Sequence, residues 1–457
     1  MFIHRTDKMS SVYTISHTPN IENEHLQWYS ISDIVEHYYK GTFLVTKKIV
    51  DHAGPQVEIY SLYDIKTYQK FGLDILENKH IVRHACENAN LEFLDWFLGS
   101  GVELKYDKWA IARASEKQHL QVLNWFLGSG LELKYDEQAI NTACLHRHQN
   151  VLNWWLASGL ELKYNCWAIE FASRKGYLEV LNWFLCSGLE LKYNNRAISM
   201  ASENGHLDVL NWWLDSGLKL KYDERAITSA SQNGRIDVLN WWLDSGLELK
   251  YDSDAINWAC NNGHLHILNW WLSSGLELKY DSEAITWASQ NGHLDVLNWF
   301  LASGLELKYN EQAIVQASVY GRLHILDWFL ASGLVLKYDC RAITWASRNS
   351  DFHVLNWWLK SGLQLRYDCG AIDSTMETHR VKVMEWWIQS GLPLKYTECP
   401  VLWASENGHL SVLKAWASAG LPFDSSEKAI ALAAEHNQME ILNWWKEMGF
   451  ELSDPKN

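Results

Sequence analysis

A glycine stands at Gly72 and returns at one fixed interval of twenty-nine positions, at Gly101, Gly130, Gly159, Gly188, Gly217, Gly246, Gly275, Gly304, Gly333, Gly362, Gly391, Gly420 and Gly449, with no step longer or shorter. Around each glycine one phrase recurs, as in LNWWLDSGLELKYD at residues 239–252. A chain of 457 residues is too long for a single hydrophobic core. A fixed period of this length selects a linear array of small modules, each stabilised by its neighbours, over a few large domains.

One module, YDSEAITWASQNGHLDVLNWFLASGLELKY at residues 280–309, can be read residue by residue. Asp281 lies six positions after a repeat glycine and just before Ala-Ile, where a helix N-cap belongs. The same place holds Asn78, Asp107, Asp136, Asn165, Asn194, Asp223, Asp252, Asn310, Asp339, Asp368, Thr397 and Ser426, all residues whose side-chain oxygen can accept from exposed backbone N–H groups. A first helix follows, with Ala284, Ile285 and Ala288 at helical spacing, and its small residues admit a close neighbour. Asn291-Gly292 ends it, because glycine tolerates the left-handed conformation. In the second helix Leu294, Val296, Leu297, Phe300 and Leu301 form one apolar stripe, and Gly304 closes it as a left-handed cap. LELKY then alternates apolar and charged residues and reads as extended. Helices of about ten residues are too short to persist alone in water. They must pack on each other and on the next pair.

The phrase NGHLDVLNWFLASGLEL resembles the GHxxVVxxLLxxGAD half of an ankyrin repeat, and AITWAS resembles the helix that opens such a unit, with Ile285, Ala288 and Ser289 at its leucine and two alanines. Glu283, Ala284 and Thr286 depart from the family's Thr, Pro and His. The module is also four residues shorter than the 33 of a standard ankyrin repeat, and the loss falls where the family builds its β-hairpin finger. Tandem WW-x-x-SGLELKY units are similar to ankyrin-repeat proteins of giant DNA viruses that infect amoebae, of mimivirus type. The resemblance covers roughly residues 73–457. It implies an all-α, ankyrin-like helix-turn-helix solenoid of 29-residue repeats, whose first helices face a concave surface where partners bind. Such viral proteins often carry a short N-terminal module, and residues 28–72 resemble its closing part. Residues 31–39 read as a helix and GTFLVTKKIV as a strand, so a small α/β N-terminal cap is expected. The expected division is a module at residues 1–58 and a solenoid of about 13 repeats at 59–457.

Composition narrows the function classes. With 55 Asp and Glu against 40 Lys and Arg, the net charge is −15, which disfavours general affinity for nucleic acid or anionic membrane. No apolar run of about 18 residues and no signal-peptide core appears, so the expectation is a soluble, intracellular chain, in the host cytoplasm if viral. The eight cysteines include no C-x-x-C pair. Cys340 and Cys369 lie one period apart, about 8–10 Å on stacked helices, too far for a disulfide, so free structural thiols are expected.

Recurrence separates scaffold from site. The residue four before each glycine is aromatic from Phe97 to Trp445 and belongs to the core. The residue five before is Trp in every unit but one, where Ala415 stands. An almost invariant residue is poorly suited to reading a particular partner, so these tryptophans are assigned to packing between repeats. The most variable slot lies seventeen positions before the glycine: His84, Arg113, Thr142, Phe171, Met200, Ser229, Trp258, Trp287, Gln316, Trp345, Ser374, Trp403 and Leu432. Partner recognition is expected to centre on Phe171, Met200, Trp258, Trp287, Trp345 and Trp403, with Trp258 and Trp287 about 10 Å apart on successive helices. The slots just after the cap, with Trp109, Trp167, Arg196, Arg225 and Arg341, also vary.

Two recurring polar features have plainer readings. Lys or Arg stands four positions after the glycine from Lys105 to Lys395, with glutamate two positions earlier in most units, which suits a mixed-charge solvated link better than a phosphate track. The NGHL histidines, such as His206, His264, His293 and His409, recur one repeat apart, too far to share a zinc. No nucleotide-binding, metalloprotease or nucleophile-elbow motif occurs. The expectation is a non-catalytic protein–protein interaction scaffold, monomeric, without cofactor, metal, membrane or nucleic acid. Two alternatives are a repeat-based reader of single-stranded nucleic acid, with aromatics stacked on bases, and an uncharacterised activity in residues 1–58.

Overall fold

The computed structural model describes residues 11–16, 43–50, 54–61, 63–71, 80–101, 106–376 and 381–450. These begin with a three-stranded antiparallel sheet: β1 (Ser11–Ser16) pairs with β2 (Phe43–Val50), and β2 pairs with β3 (Gly54–Ser61). The strand read from GTFLVTKKIV is β2, and β3 spans the position where the sequence places the end of the N-terminal module. The helix expected at 31–39 lies outside the described residues. After α1 (Ile65–Phe71) come thirteen helix pairs among the described residues, from α2 (His80–Glu87) and α3 (Leu91–Gly99) to Ser426–Glu435 and Met439–Glu447. By contacts the chain forms two compact units, residues 1–201 with 206–222, and residues 202–205 with 223–457. Within each, helices pack in sequence order on the pairs before and after them, as a helical repeat array does. No described helix is long and apolar enough to cross a membrane.

Each module follows one plan. In Ser282–Asn291 the Ala284, Ile285 and Ala288 side chains are fully buried. First helices approach one another more closely than second helices do, as these small residues allow. In eleven units the cap residue accepts from the backbone N–H two residues on, at 2.8–3.2 Å. Asn78 lies outside the described residues, and Ser426 does not cap. Its helix starts at Ser426, and the hydroxyl of the preceding Ser425 donates to Glu398 instead. The described repeat glycines sit at φ between +68° and +87°, the left-handed conformation that closes the second helix. The turn inside each pair needs a second left-handed residue. Gly292 supplies it at +84°, but Ala89, Gln118, Arg147, Ser350 and Asn437 hold it without glycine.

The second helix departs from expectation at one position. Val296, Leu297 and Phe300 are buried, whereas Leu301 is 44% exposed. Its counterparts from Leu98 to Ile388 are likewise exposed. The residue three before the glycine faces away from the first helix, and apolar character alone does not place a leucine inside.

Candidate functional site

Side chains that repeat are committed to neighbouring modules. The aromatic residue four before each glycine is buried. In seven of the eight units where it is Trp, its indole N–H donates to a buried serine hydroxyl 40 residues back, as Trp155 does to Ser115, Trp271 to Ser231 and Trp358 to Ser318, each at 3.1 Å, and Trp416 is the exception. Where it is Phe, as at Phe126, Phe184 and Phe300, the matching slot holds Cys86, Cys144 or Cys260. A buried hydroxyl needs a partner and a thiol does not, so Ser accompanies Trp and Cys accompanies Phe. Burial pushes those three thiols well above their ordinary range. All eight cysteines are free. Phe329 breaks the rule, because Ser289 stands in its matching slot and the buried serine hydroxyl has no partner.

The preceding tryptophan sits at the junction. In nine units its indole N–H donates to the Asn or Asp thirty positions earlier, as Trp154 does to Asn124 at 2.7 Å and Trp299 to Asn269 at 2.8 Å. The paired rings, such as Trp241 and Trp242, meet edge to face at 5.1 Å. The acceptor is the residue just before each Trp pair, and the sequence reading passed over it, although a polar residue recurring inside LNWW was the available signal.

The link is also committed. In seven modules the Lys ammonium lies over the tyrosine ring one module back and donates to that tyrosine's carbonyl, as Lys308 does on Tyr280, 4.5 Å from the ring centre and 3.2 Å from the oxygen. The Tyr280 hydroxyl in turn donates to Glu306 O at 2.8 Å. These lysines are therefore bound within the array, and the solvated-link reading is corrected to that extent. Of the NGHL histidines, His206 and His293 donate to the carbonyl 32 residues back, to Arg174 O and Asn261 O, each at 2.9 Å. Among the described residues no group of three or more His, Cys, Asp or Glu could hold a metal ion.

The variable first-helix side chains are more open. Phe171, Met200, Trp258, Trp287 and Trp403 are half-buried, and Trp345 is exposed. Phe171 and Met200 belong to the first compact unit and the four tryptophans to the second. Trp258 and Trp287 do not keep the full helix-to-helix spacing expected of them. Their rings lean together, with centroids 4.8 Å apart and planes inclined at 44°. The remaining aromatics are not drawn into that contact. Trp345 carries Arg348 at 4.9 Å from its ring centre, Trp403 stacks on His409 at 4.6 Å, and Phe171 lies 6.3 Å from the exposed Trp167. Of the other variable slots, Arg341 is held by Asp339 at 2.6 Å and Arg196 lies 3.5 Å from the buried Glu170.

Compared with known protein families and with curated proteins, the chain matches none.

Proposed function

We propose that this chain is a non-catalytic protein–protein interaction scaffold of ankyrin-like design. Recognition rests on the variable first-helix residues Phe171, Met200, Trp258, Trp287, Trp345 and Trp403. One observation carries the reading. Recurring polar and aromatic side chains are consumed by bonds to neighbouring modules, whereas the slot that varies is left partly open and holds large aromatics, the residue type that dominates binding hot spots. The likeness of its WW-x-x-SGLELKY units to giant-virus repeat proteins adds a viral setting, with a viral or host protein as partner. Two features argue against a nucleic-acid reader. The Lys column is occupied by tyrosine carbonyls, and rings 4.8 Å apart leave no gap of about 7 Å, twice a carbon contact distance, for a base to enter.

The test is affinity capture from an expressing host cell with three forms of the full chain: unmodified, Trp258→Ala/Trp287→Ala, and Leu301→Ala. The reading expects a protein bound by the first and third and lost by the second, with all three folded at the capture temperature. An identical set of captured proteins from all three removes these aromatics as the recognition face.

A further inference from the structure

The ring pair differs from Trp345 and Trp109 in what surrounds it. Two exposed first-helix tryptophans carry a cation of the chain itself, Arg348 over Trp345 at 4.9 Å and Arg83 over Trp109 at 5.5 Å, whereas the exposed Trp167 has none among the described residues. Trp258 and Trp287 have no such cation among the described residues. One helical turn before each ring stands a carboxylate instead, Asp254 before Trp258 and Glu283 before Trp287. Residues four apart share a helix face, so the acids flank the rings on the same side. Neither acid takes part in an ion pair among the described residues. Asp252 and Asp281 lie close enough to add negative charge, and burial first, then these two neighbours, raise the Asp254 carboxyl above its ordinary value. The result is a patch of two electron-rich rings and unneutralised carboxylates, where Trp345 and Trp109 each have a cation in place.

We propose that Trp258, Trp287, Asp254 and Glu283 form a receptor for an arginine side chain of the partner protein. A guanidinium is planar, stacks on an indole face, and pairs with carboxylates through its fork of N–H groups. It would complete here what Arg348 does for Trp345. This rests on the scaffold reading and adds the chemistry of the partner at one place on its face.

The probe is a fluorescent Gly-Arg-Gly-Arg-Gly peptide, compared with the same peptide carrying uncharged citrulline, titrated against the full chain by anisotropy. The Arg peptide should bind. Binding should fall about tenfold in Asp254→Asn/Glu283→Gln and also in Trp258→Ala/Trp287→Ala. It should hold in Glu161→Gln/Glu190→Gln, which removes the same charge elsewhere. The acid variant changes only groups that reach solvent, so its fold is secure even if the tryptophan variant melts early. Equal binding by the two acid variants, or equal binding of the citrulline peptide, overturns the proposal, as does no binding of the Arg peptide to the unmodified chain. If captured proteins depend on the tryptophans while the Arg peptide fails to discriminate, the scaffold reading stands and the arginine receptor falls.

Discussion

Two serines show how closely single residues are matched to their slots. Ser350 occupies the left-handed turn position at φ +55°, and its hydroxyl is buried without a partner. Ser350→Gly removes both faults and should raise stability by about 1–2 kcal/mol, measured by urea unfolding against the unmodified chain. No change would mean that the turn has relaxed around the serine. Ser289 has only the second fault. Ser289→Ala should therefore stabilise by about 1 kcal/mol, whereas Ser318→Ala, one module on, should destabilise, because the Ser318 hydroxyl accepts from the Trp358 indole and donates to Ile314 O. Equal effects from the two alanines would show that the Trp–Ser and Phe–Cys pairing has no energetic basis.

At the scale of a helix pair, the turn histidine ties one first helix to the next module. The His264 imidazole is held below its ordinary value, by burial first and by the neighbouring His266 second. A base with a lowered folded pKa binds fewer protons in the native state than in the unfolded chain, so its contribution is present above the usual His range and declines as the pH falls below about 6.5. Amide exchange over the helix Leu265–Ser273 should accelerate, relative to Leu294–Ser303, between pH 7 and pH 5. His264→Gln should flatten that dependence, because Gln438 fills the equivalent slot and donates to Glu406 O at 3.0 Å. A pH response unchanged by the substitution assigns it to other groups.

Much of this pair was legible before any coordinates. Caps, left-handed glycines and the buried aromatic follow from rules that act within a few residues, and the period repeats each signal often enough to remove doubt. Ser426 fails where Pro422 and Ser425 alter the link. Leu301 was misplaced because a stripe read from apolar residues does not say which edge meets a neighbour. The Lys–Tyr, Trp–Asn and Trp–Ser bonds were missed because their partners lie 28, 30 and 40 residues away. The Phe–Cys and Trp–Ser pairing was nonetheless present in the sequence, visible only when two slots are compared across modules. The ring contact between Trp258 and Trp287 depends on side-chain direction, which spacing along the chain does not contain.

Among the described residues, three of the recurring bonds between modules are missing at one seam, between the units closed by Gly391 and Gly420. Ala415 removes the indole that would reach back to residue 385. Met376 offers no hydroxyl to Trp416, whose N–H donates to Pro422 O inside its own unit at 3.0 Å. Asp424 stands where a lysine would grip the Tyr396 carbonyl. Thr397 still bonds to Asp373 through its N–H at 3.1 Å and its hydroxyl at 2.8 Å. Neighbour coupling sets the stability of a repeat array, so residues 399–450 should open as one block before the modules at 254–360, seen as earlier and concerted amide exchange. Ala415→Trp with Glu385→Asn should restore one bond, slow that exchange, and add about 1 kcal/mol to the block. Exchange that spreads evenly through residues 254–450 would mean that the seam has no energetic weight.

The bonds between modules join residues 24 to 40 positions apart, from the Asn257–Asp281 contact to the Trp–Ser pairs, wherever they fall along the chain. Ordering a module thus requires closing a loop of fixed and modest size, and the cost of that closure does not grow as modules are added. During synthesis one such module leaves the ribosome in about 1.5–6 s at ordinary elongation rates. That is long compared with helix formation and the docking of a local hairpin. Each newly emerged pair can settle on its predecessor before the next arrives, so assembly keeps pace with translation from the first repeat onward.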